Sequence, residues 1–415
     1  MPAVGGVMTK TAILFTNAMI FDGSGAGLFP GEVLVEGERI VAVARGSGQI
    51  ARERAGGVIE AGGTTLMPGL VEPHTHLTFT SAVDRIVPTF MPPVEDHVFY
   101  TAHNAKTLLD YGFTSAFSGG ATRPGIEVKL RDEIAAGFLP GPRLKAASFE
   151  RSIDGNRPGY GKGADEVRKF CREMIDLGVD SMKFILSGAG SVLPAHFDEL
   201  TYSEAELEAA SALAREASVN LVGHAYNSAS IRLALHHGFR AIFHCNFADE
   251  ATLDLMAEKR DTFFVVPAVG IIVAGITRRD QLLPGAIEQR EEALEGLKII
   301  HEAQLKLLPA MRKRGIRVLP GGDYGFAHNP HGRNAWEFEL FVTKFGFTPS
   351  EVLVAATRHG GAIMDMEDEL GMIKEGYLAD IVLVKGDPLR DITILQDRSN
   401  FRAIMQGGAF YKAPV

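Results

Sequence analysis

The sequence between residues 66 and 323 alternates short apolar segments with longer amphipathic ones, and this alternation limits the possible folds more than any other feature. Such alternation is typical of βαβ units, in which neighbouring strands run parallel. Eight strand-like segments can be counted, which is the number that closes a (β/α)8 barrel. They span residues 66–76, 113–119, 143–148, 181–187, 220–226, 241–246, 262–268 and 316–323. The sequence therefore predicts an α/β protein with a TIM barrel.

The two ends of the chain have a different texture, with short β-rich runs separated by glycine-bounded turns. A β-rich segment on each side of a barrel predicts one small β-sandwich domain formed from both chain ends. We expect residues 1–66 and 366–415 to form this domain and residues 67–365 to form the barrel. Within the barrel, Ser203 followed by Glu206 predicts a capping box at the start of a helix.

Composition excludes several classes of function. Lys and Arg total 42 against 51 Asp and Glu, and the net charge of −9 opposes binding to nucleic acid or to an anionic membrane. No run approaches the roughly 20 apolar residues that a membrane helix needs. The only two cysteines, Cys171 and Cys245, are too few for a disulfide scaffold. We therefore expect a cytoplasmic protein that binds a small molecule.

Side chains that bind metals follow several predicted strands at their carboxyl ends, the face that carries the active site of TIM-barrel enzymes. His74 and His76 end the first strand, where alternation points both imidazoles to one side and lets them chelate one ion. His224 and His244 lie on the fifth and sixth strands, and Asp323 ends the eighth. These positions predict a metal site at the barrel mouth.

Lys183 lies on the fourth predicted strand. A desolvated lysine has a lowered pKa and can react with carbon dioxide to give a carbamate, whose two oxygens could bridge two cations. Each residue alone also fits an ordinary role, since a buried histidine is usually a hydrogen-bonded core residue and an aspartate after two glycines is usually a turn residue or helix cap. It is the combination of these residues that indicates a metal site. Chance would have to place a suitable side chain at the same end of five predicted strands independently.

The run PGLVEPHTHL and the later lysine, histidines and aspartate resemble the amidohydrolase superfamily, from about Ile20 to Asp391. The segment GMIKEGYLADIVLVKGDPLRDI is similar to the family's return to its small β-sandwich. The segments LRDEIAAGFLPGPRL and GHAYNSASIRLALHHG resemble the branch with imidazolonepropionase-like proteins, Xaa-Pro and Xaa-Arg dipeptidases, ochratoxin-type amidases and herbicide hydrolases. The resemblance implies a hydrolase that acts on carbon–nitrogen bonds.

The resemblance also implies a binuclear metal centre. The implied ligands are His74, His76 and Asp323 for the more buried ion, His224 and His244 for the second ion, and N6-carboxylated Lys183 as the bridge. Zn²⁺ is the expected metal, although these ligand types also suit Mn, Fe, Co or Ni. A hydroxide shared by the ions would attack the substrate, and Asp323 would move its proton to the leaving amine. Tyr226 resembles the branch's tyrosine that polarises the scissile carbonyl, and it could equally be a packing residue.

Departures from the branch narrow the predicted substrate. Many dipeptidase-like members carry a Gly-Gly-His-Gly segment after the third strand, whose histidine helps to hold the substrate α-carboxylate, whereas this chain has SFERSIDGNRPGYGKG. Arg123, Arg151 or Arg157 could replace that histidine, or each could be a surface residue.

The loop YGFAHNPHGRNAWEFEL after Asp323 resembles that of phenylurea and thiocarbamate hydrolases, in which the first HxH histidine is described as Asn. His328 and His331 in this loop are candidate substrate contacts, or donors of hydrogen bonds behind the metal ligands. An apolar and aromatic pocket is expected. Its predicted residues are Phe79, Phe90, Met91–Pro93, Phe326 and Trp336.

Together these points predict hydrolysis of an amide, carbamate or urea in a small, largely apolar and aromatic molecule. One alternative is a Xaa-Pro dipeptidase or an N-acyl amino acid or ochratoxin-type amidase, which would recognise a substrate carboxylate. A mononuclear deaminase is disfavoured because the superfamily's deaminases do not use a lysine carbamate. A catalytically silent scaffold is disfavoured because every metal position is present. The family also implies a homo-oligomer.

Overall fold

The computed structural model describes residues 12–152, 160–188, 191–278 and 290–414. The strands within these ranges are β1 (Ile13–Ile20), β2 (Phe29–Glu36), β3 (Arg39–Arg45), β4 (Gly57–Glu60), β5 (Thr64–Pro68), β6 (Leu70–Thr75), β7 (Phe113–Ser118), β8 (Arg143–Lys145), β9 (Ala147–Arg151), β10 (Ser181–Ile185), β11 (Asn220–Asn227), β12 (Ala241–Phe247), β13 (Phe264–Val266), β14 (Ile381–Lys385), β15 (Phe401–Gln406) and β16 (Ala409–Lys412). The α-helices are α1 (Val94–Asp110), α2 (Pro124–Ala135), α3 (Ala164–Leu177), α4 (Glu204–Ala217), α5 (Ser228–His236), α6 (Glu250–Glu258), α7 (Val269–Thr277), α8 (Arg290–Lys313), α9 (Trp336–Phe345), α10 (Pro349–Ala356) and α11 (Arg358–Ile363).

The chain divides into two compact units. One unit takes the described residues up to Leu70 and those from Pro349 onward, and the other takes the described residues of Val71–Thr348. The two chain ends therefore belong to one unit. The domain boundaries expected from the sequence, after residue 66 and after residue 365, stay predictions.

The unit formed by the chain ends is built on a mixed sheet with the order β16-β15-β14-β5-β1-β2-β3, in which β4 pairs with β1. The two ends meet where β5 pairs antiparallel with β14, with Leu66 opposite Leu383. Successive side chains of a strand point to opposite faces. Accordingly Phe15 joins the larger apolar cluster of this sheet, while the preceding Leu14 joins a smaller one with Leu34.

The barrel unit contains parallel strands in two hydrogen-bonded groups, β13-β12-β11-β10-β9 and β6-β7-β8. Only Ala146 separates β8 from β9, so the third predicted segment, residues 143–148, supplies β8 and the beginning of β9. The first predicted segment is divided, because β5 joins the sheet of the chain ends and β6 begins the barrel. The fold class, an α/β TIM barrel with a small β domain from both chain ends, is confirmed.

The eighth predicted strand, residues 316–323, needs correction. The structure records one parallel bridge there, between Val265 and Val318, and no strand. Pro320 has no N–H to donate to a neighbouring strand, and Asp323 has a left-handed φ of 58°. Residues 316–323 therefore lie beside β13, where the eighth strand is expected, but they form only one β-bridge with it.

Helix signals in the sequence mark real helices. The predicted capping box is confirmed at the start of α4, where the Ser203 N–H donates to Glu206 Oε2 over 2.9 Å. Helix α8 ends with Arg312 and Lys313 in its last turn, where cations complement the helix dipole. None of the helices in the described ranges has the length and apolar character needed to cross a membrane.

Candidate metal centre

Two histidines and an aspartate from opposite ends of the barrel sequence lie together at the carboxyl ends of the strands. The Nε2 atoms of His74 and His76 are 3.2 Å apart, and His76 Nε2 lies 3.0 Å from Asp323 Oδ1. One ligand atom from each of the three residues lies within 4.8 Å of the others. Because imidazole nitrogens and carboxylate oxygens bind Zn²⁺ at about 2.0–2.2 Å, such a group can surround one small divalent ion.

The histidines of β11 and β12 continue this group. The ring centroids of His224 and His244 are 4.3 Å apart, and that of His244 is 5.8 Å from the ring of His74. Tyr226 lies beside both, with ring centroids 4.4 Å from His224 and 5.3 Å from His244. The tertiary fold thus brings four predicted histidines and the predicted tyrosine to one place.

The buried imidazoles have nitrogens that fit a cation. His74 Nδ1, His224 Nε2 and His244 Nδ1 are buried and have no hydrogen-bond partner among the described residues. Burial lowers the pKa of His74 and His224 well below the usual range and that of His244 to about 3. These imidazoles are therefore neutral at pH 7, and a neutral imidazole nitrogen without a hydrogen-bond partner has a lone pair that can bind a cation.

Hydrogen bonds and stacking hold the first pair of histidines in place. His76 Nδ1 lies 2.8 Å from the Gly120 carbonyl oxygen, which directs the Nε2 lone pair toward Asp323 and His74. The ring of His74 stacks on Phe243 with 3.9 Å between centroids and 10° between planes. A Cβ atom on Gly119 would lie 2.1 Å from His74 Cδ2, so only glycine leaves room for this imidazole.

Lys183 extends from β10 into the same group of side chains and is almost fully buried. Its Nζ donates to the Gly119 carbonyl oxygen over 2.7 Å and lies 3.5 Å from Glu150 Oε1. Burial lowers the pKa of Lys183, although the charges of Glu150 and Asp323 oppose that shift. A lysine with a lowered pKa offers the neutral amine that carboxylation requires.

Backbone conformation at two of these residues is unusual. His244 has a φ of 77° and Asp323 a φ of 58°, both in the left-handed region that non-glycine residues rarely adopt. Such conformations cost about 1–3 kcal/mol each and persist where the surrounding structure enforces them, often at functional sites. Burial disfavours the ionised form of Asp323, yet the imidazole of His76, 3.0 Å away, holds the pKa of Asp323 below the usual range.

A cavity of about 450 Å³ opens onto these side chains. Its floor includes His74, Lys183, His224, His244 and Asp323. Its walls are mostly apolar and belong to the barrel loops, α7 and α8. The apolar lining comprises Phe79, Ile185, Val192, Leu193, Ile271, Ile272, Gly275, Ala293, Leu294, Leu297 and Phe326. The arrangement therefore combines a polar floor with walls that suit an apolar ligand.

Several predicted pocket residues line this cavity. Phe79 and Phe326 are part of the wall, and their rings meet edge to face at 5.1 Å. Phe79 also stacks on His76, with 4.2 Å between centroids. Among the predicted loop histidines, His328 lines the cavity, and burial lowers its pKa to about 4.

Other predicted residues lie outside the lining. His331 is fully buried, and its Nε2 lies 3.1 Å from the backbone oxygen of His76. Arg123 precedes α2, and Arg151 packs its guanidinium against the ring of Tyr202. Phe90 and Trp336 are also absent from the lining, and Arg157 lies outside the described residues.

The sequence interpretation overlooked two residues next to the predicted ligands. Glu150 lines the cavity beside Lys183, and Phe243 lies under both His74 and Lys183, whose Nζ is 4.1 Å from the ring centroid. A signal for Glu150 was present, since it comes near the carboxyl end of β9, the position that drew attention to the other residues. Phe243 had no such signal, because an apolar residue in a buried strand is expected anyway.

The interpretation also overlooked two buried polar residues behind the site. Glu72 Oε1 accepts from the backbone N–H of His74, and its Oε2 accepts from Asn334 Nδ2 over 2.7 Å. Burial raises the pKa of Glu72 to about 8. The pair ties β6 to the loop that precedes α9.

Fold and site together define a TIM-barrel protein with a candidate metal centre at the carboxyl ends of its strands. The chain belongs to the amidohydrolase family, whose model matches residues 65–410. The resemblance noted in the sequence is therefore confirmed.

Individual relatives show how far the similarity extends. Ochratoxinase from Aspergillus niger is 26% identical over 267 residues, which cover 62% of this chain and 53% of that protein, so the chain spans about half the length of this curated relative. Imidazolonepropionase from Anaeromyxobacter sp. (strain K) is 31% identical over 393 residues, covering 87% of this chain and 85% of that protein. A prolidase solved in complex with N-methylphosphonate-L-proline superposes with a TM-score of 0.82 at 25% identity, covering 97% of this chain and 100% of that one.

Proposed function

We propose that this protein is a binuclear metal-dependent hydrolase of a carbon–nitrogen bond, in an amide, carbamate or urea of a small, largely apolar or aromatic molecule. The observation that carries the proposal is the cavity itself, whose floor combines metal-binding side chains with Lys183 and whose walls are apolar. Membership of the amidohydrolase family supports the same class of reaction.

The donor set fits two divalent ions, with Zn²⁺ as the proposed metal. His74, His76 and Asp323 would hold one ion, and His224 and His244 the other. Lys183, once carboxylated on Nζ, would be a ligand of both ions. Bound divalent ions supply an acidified water and polarise the substrate carbonyl.

The chain's own residues would orient the substrate and move the proton. Asp323 Oδ1 would accept a proton from the attacking water and pass it to the leaving nitrogen as the carbon–nitrogen bond breaks. Burial raises the pKa of Tyr226, so its hydroxyl stays protonated and can donate to the substrate carbonyl oxygen. The apolar walls would exclude bulk water and hold the rest of the substrate.

Charge in the cavity favours a substrate without a carboxylate. The described lining contains no arginine, and its one lysine is Lys183. A carboxylate bound away from the proposed ions would lack a cationic side chain in this lining, and burying an unpaired charge is costly.

The second candidate function is an amidase or dipeptidase that recognises a substrate carboxylate. It is favoured by the similarity to ochratoxinase and to a prolidase. In that case a group outside the described lining, or a metal ion, would have to bind the carboxylate.

A combined metal and substrate assay tests the proposal. We expect two divalent ions per chain by elemental analysis, a carboxylated Lys183 by ¹³C NMR after labelling with ¹³C-bicarbonate, and hydrolysis of neutral anilides and carbamates. Cleavage restricted to N-acyl amino acids and Xaa-Pro dipeptides would favour the second candidate. One ion with an unmodified Lys183 would contradict the binuclear proposal.

A further inference from the structure

Two histidines and a glutamate form another group of metal-binding side chains, outside the cavity. Glu204 begins α4, His236 ends α5, and His237 follows it as the C-cap of that helix. One ligand atom from each of the three lies within 4.8 Å of the others. None of the three belongs to the described lining of the cavity. The group therefore joins the helices that precede and follow β11, separately from the proposed centre.

The spacing of the donor atoms suits an ion. Glu204 Oε1 lies 3.8 Å from His236 Nε2, which is too long for a hydrogen bond. Glu208, one turn further along α4, has its Oε2 at 3.7 Å from His237 Nδ1. Two ligands of a tetrahedral Zn²⁺ are roughly 3.4 Å from each other. A small movement of the exposed carboxylates would therefore bring each pair to the spacing that the ion requires.

His237 supplies a fixed ligand. Its side chain is only 2% exposed, so packing holds the imidazole in place. Glu204 and His236 are mobile by comparison, with side chains 72% and 68% exposed. Burial and the neighbouring His236 lower the pKa of His237, so its imidazole is neutral at pH 7 and able to bind a cation. A ligand that is already ordered reduces the conformational entropy lost when an ion binds.

The charges around this group also favour a cation. His236 and His237 lie at the carboxyl end of α5, where the helix dipole is negative. Glu204 and Glu208 add two carboxylates, and Arg215, whose Nη2 lies 3.6 Å from Glu208 Oε1, offsets one of them. Two imidazoles and a carboxylate suit Zn²⁺ and similar transition ions, whereas Ca²⁺ and Mg²⁺ prefer sites built from oxygen alone.

We propose that Glu204, His236 and His237 form a separate metal site, for Zn²⁺ or a similar divalent transition ion, on the helices outside the barrel strands. Two of its ligands lose conformational freedom on binding, so it fills at higher free Zn²⁺ than the proposed centre in the cavity. Protein dialysed against metal-free buffer would keep only the ions of the cavity. The ion would link the first turn of α4 to the last turn of α5. The site does not depend on the proposed hydrolysis.

A zinc titration of the wild type and three variants tests the inference. Each protein is dialysed against increasing free Zn²⁺, and the bound ions per chain are counted by elemental analysis. We expect the wild type to bind one more ion than His236→Ala at saturation, and Glu204→Gln to weaken binding of that ion at least tenfold. His196→Ala is the matched control, since His196 is also exposed and lies 2.9 Å from Glu199 through Nδ1, yet belongs to neither metal-binding group.

Hydrogen exchange locates the extra ion. Zn²⁺ at the concentration that fills the site should slow amide exchange in the last turn of α5 at least tenfold in the wild type. The same addition should change it less than twofold in His236→Ala. Both substituted side chains are exposed, so the variants should keep the fold, and their circular dichroism and Tm in metal-free buffer check this.

Three results would overturn the inference. Equal numbers of bound ions in the wild type and His236→Ala would show that every ion binds elsewhere. An extra ion that Mg²⁺ replaces equally well would show that the carboxylates attract cations without histidine ligands. Filling only above about 1 mM free Zn²⁺ would show non-specific surface binding. The number of ions retained by His236→Ala tests the proposed binuclear centre separately, because that variant leaves the cavity unchanged.

Discussion

The imidazole of His74 lies flat on the ring of Phe243, with 3.9 Å between the ring centroids and 10° between the planes. The same phenyl ring lies under Lys183, whose Nζ is 4.1 Å from its centroid. One apolar side chain of β12 therefore supports two residues proposed to bind metal, from β6 and β10. Groups that orient metal ligands typically change metal affinity by 10–100-fold when removed.

Replacing Phe243 with Leu should weaken metal binding, because the leucine side chain cannot stack on the imidazole. We expect the dissociation constant for Zn²⁺ to rise about tenfold, measured by competition with a chelating dye. Phe264→Leu is the matched control, since Phe264 is fully buried on the neighbouring β13. Equal losses of metal affinity in both variants would mean that general loosening of the barrel, rather than stacking, causes the effect.

Adding one methyl group at Gly119 should displace His74. The Cβ atom of Gly119→Ala would lie 2.1 Å from His74 Cδ2, which is far inside van der Waals contact. We expect less than half of the wild-type metal content after equal loading, by elemental analysis, and at least a hundredfold lower kcat/KM. Gly62→Ala is the control, because nothing lies within 4 Å of a Cβ atom there, and it should keep full metal content.

Removing the metal should destabilise the barrel as well as stop the reaction. Ions that bind only the folded state stabilise it by about 2.7 kcal/mol at a free concentration one hundred times the dissociation constant. We expect chelation to lower Tm and Zn²⁺ to restore it in a concentration-dependent way, by differential scanning fluorimetry. A His224→Ala, His244→Ala double variant should show a smaller Zn²⁺ response, and an unchanged response would contradict the assignment of these histidines.

Replacing Glu127 with Gln should change how stability depends on pH. Burial raises the pKa of Glu127 from 4.5 to about 7, and its Oε2 accepts from the Ala147 N–H. The folded state thus favours the protonated carboxyl, so this contribution to the free energy of unfolding is complete below pH 4.5 and falls as pH rises toward 7.

Glutamine has no proton to lose, so its stability relative to the wild type should improve with pH. At about 1.4 kcal/mol per pKa unit, we expect a relative gain of about 3 kcal/mol between pH 5 and pH 8. Urea denaturation of both proteins at matched metal content measures this difference. A constant difference across that range would show that Glu127 is ionised at neutral pH in the folded protein.

A larger side chain at Ala293 should make the cavity smaller without touching the metal-binding residues. Ala293 lines the wall formed by α8 and is only partly buried, so a phenylalanine there can extend into the cavity. We expect Ala293→Phe to lower kcat/KM at least tenfold for bulky aromatic anilides and less than threefold for acetanilide. Equal losses with both substrates, or lower metal content, would show that the wall does not contact the substrate.

Local sequence patterns were sufficient to predict much of the fold, because strand and helix periodicity depends on neighbouring residues. The HxH pattern predicts that His74 and His76 face one side, and their Nε2 atoms are indeed 3.2 Å apart. Position at a strand end also singled out Lys183, His224, His244 and Asp323, all of which line one cavity. The same reasoning predicted a full eighth strand over residues 316–323, which the structure does not contain. Pro320 limits hydrogen bonding there, and the segment forms a single β-bridge at Val318.

Only the tertiary structure decided how residues from different strands meet. Neighbouring residues of a regular strand point to opposite sides, yet Phe243 stacks on His74 while the next residue, His244, packs beside His224. The left-handed φ of 77° at His244 interrupts the regular strand at this point. The space at Gly119 and the opposition of Glu150 to Lys183 likewise arise from strand register. Sequence periodicity determines which face a residue prefers, whereas distances across the barrel depend on how the strands are aligned and bent.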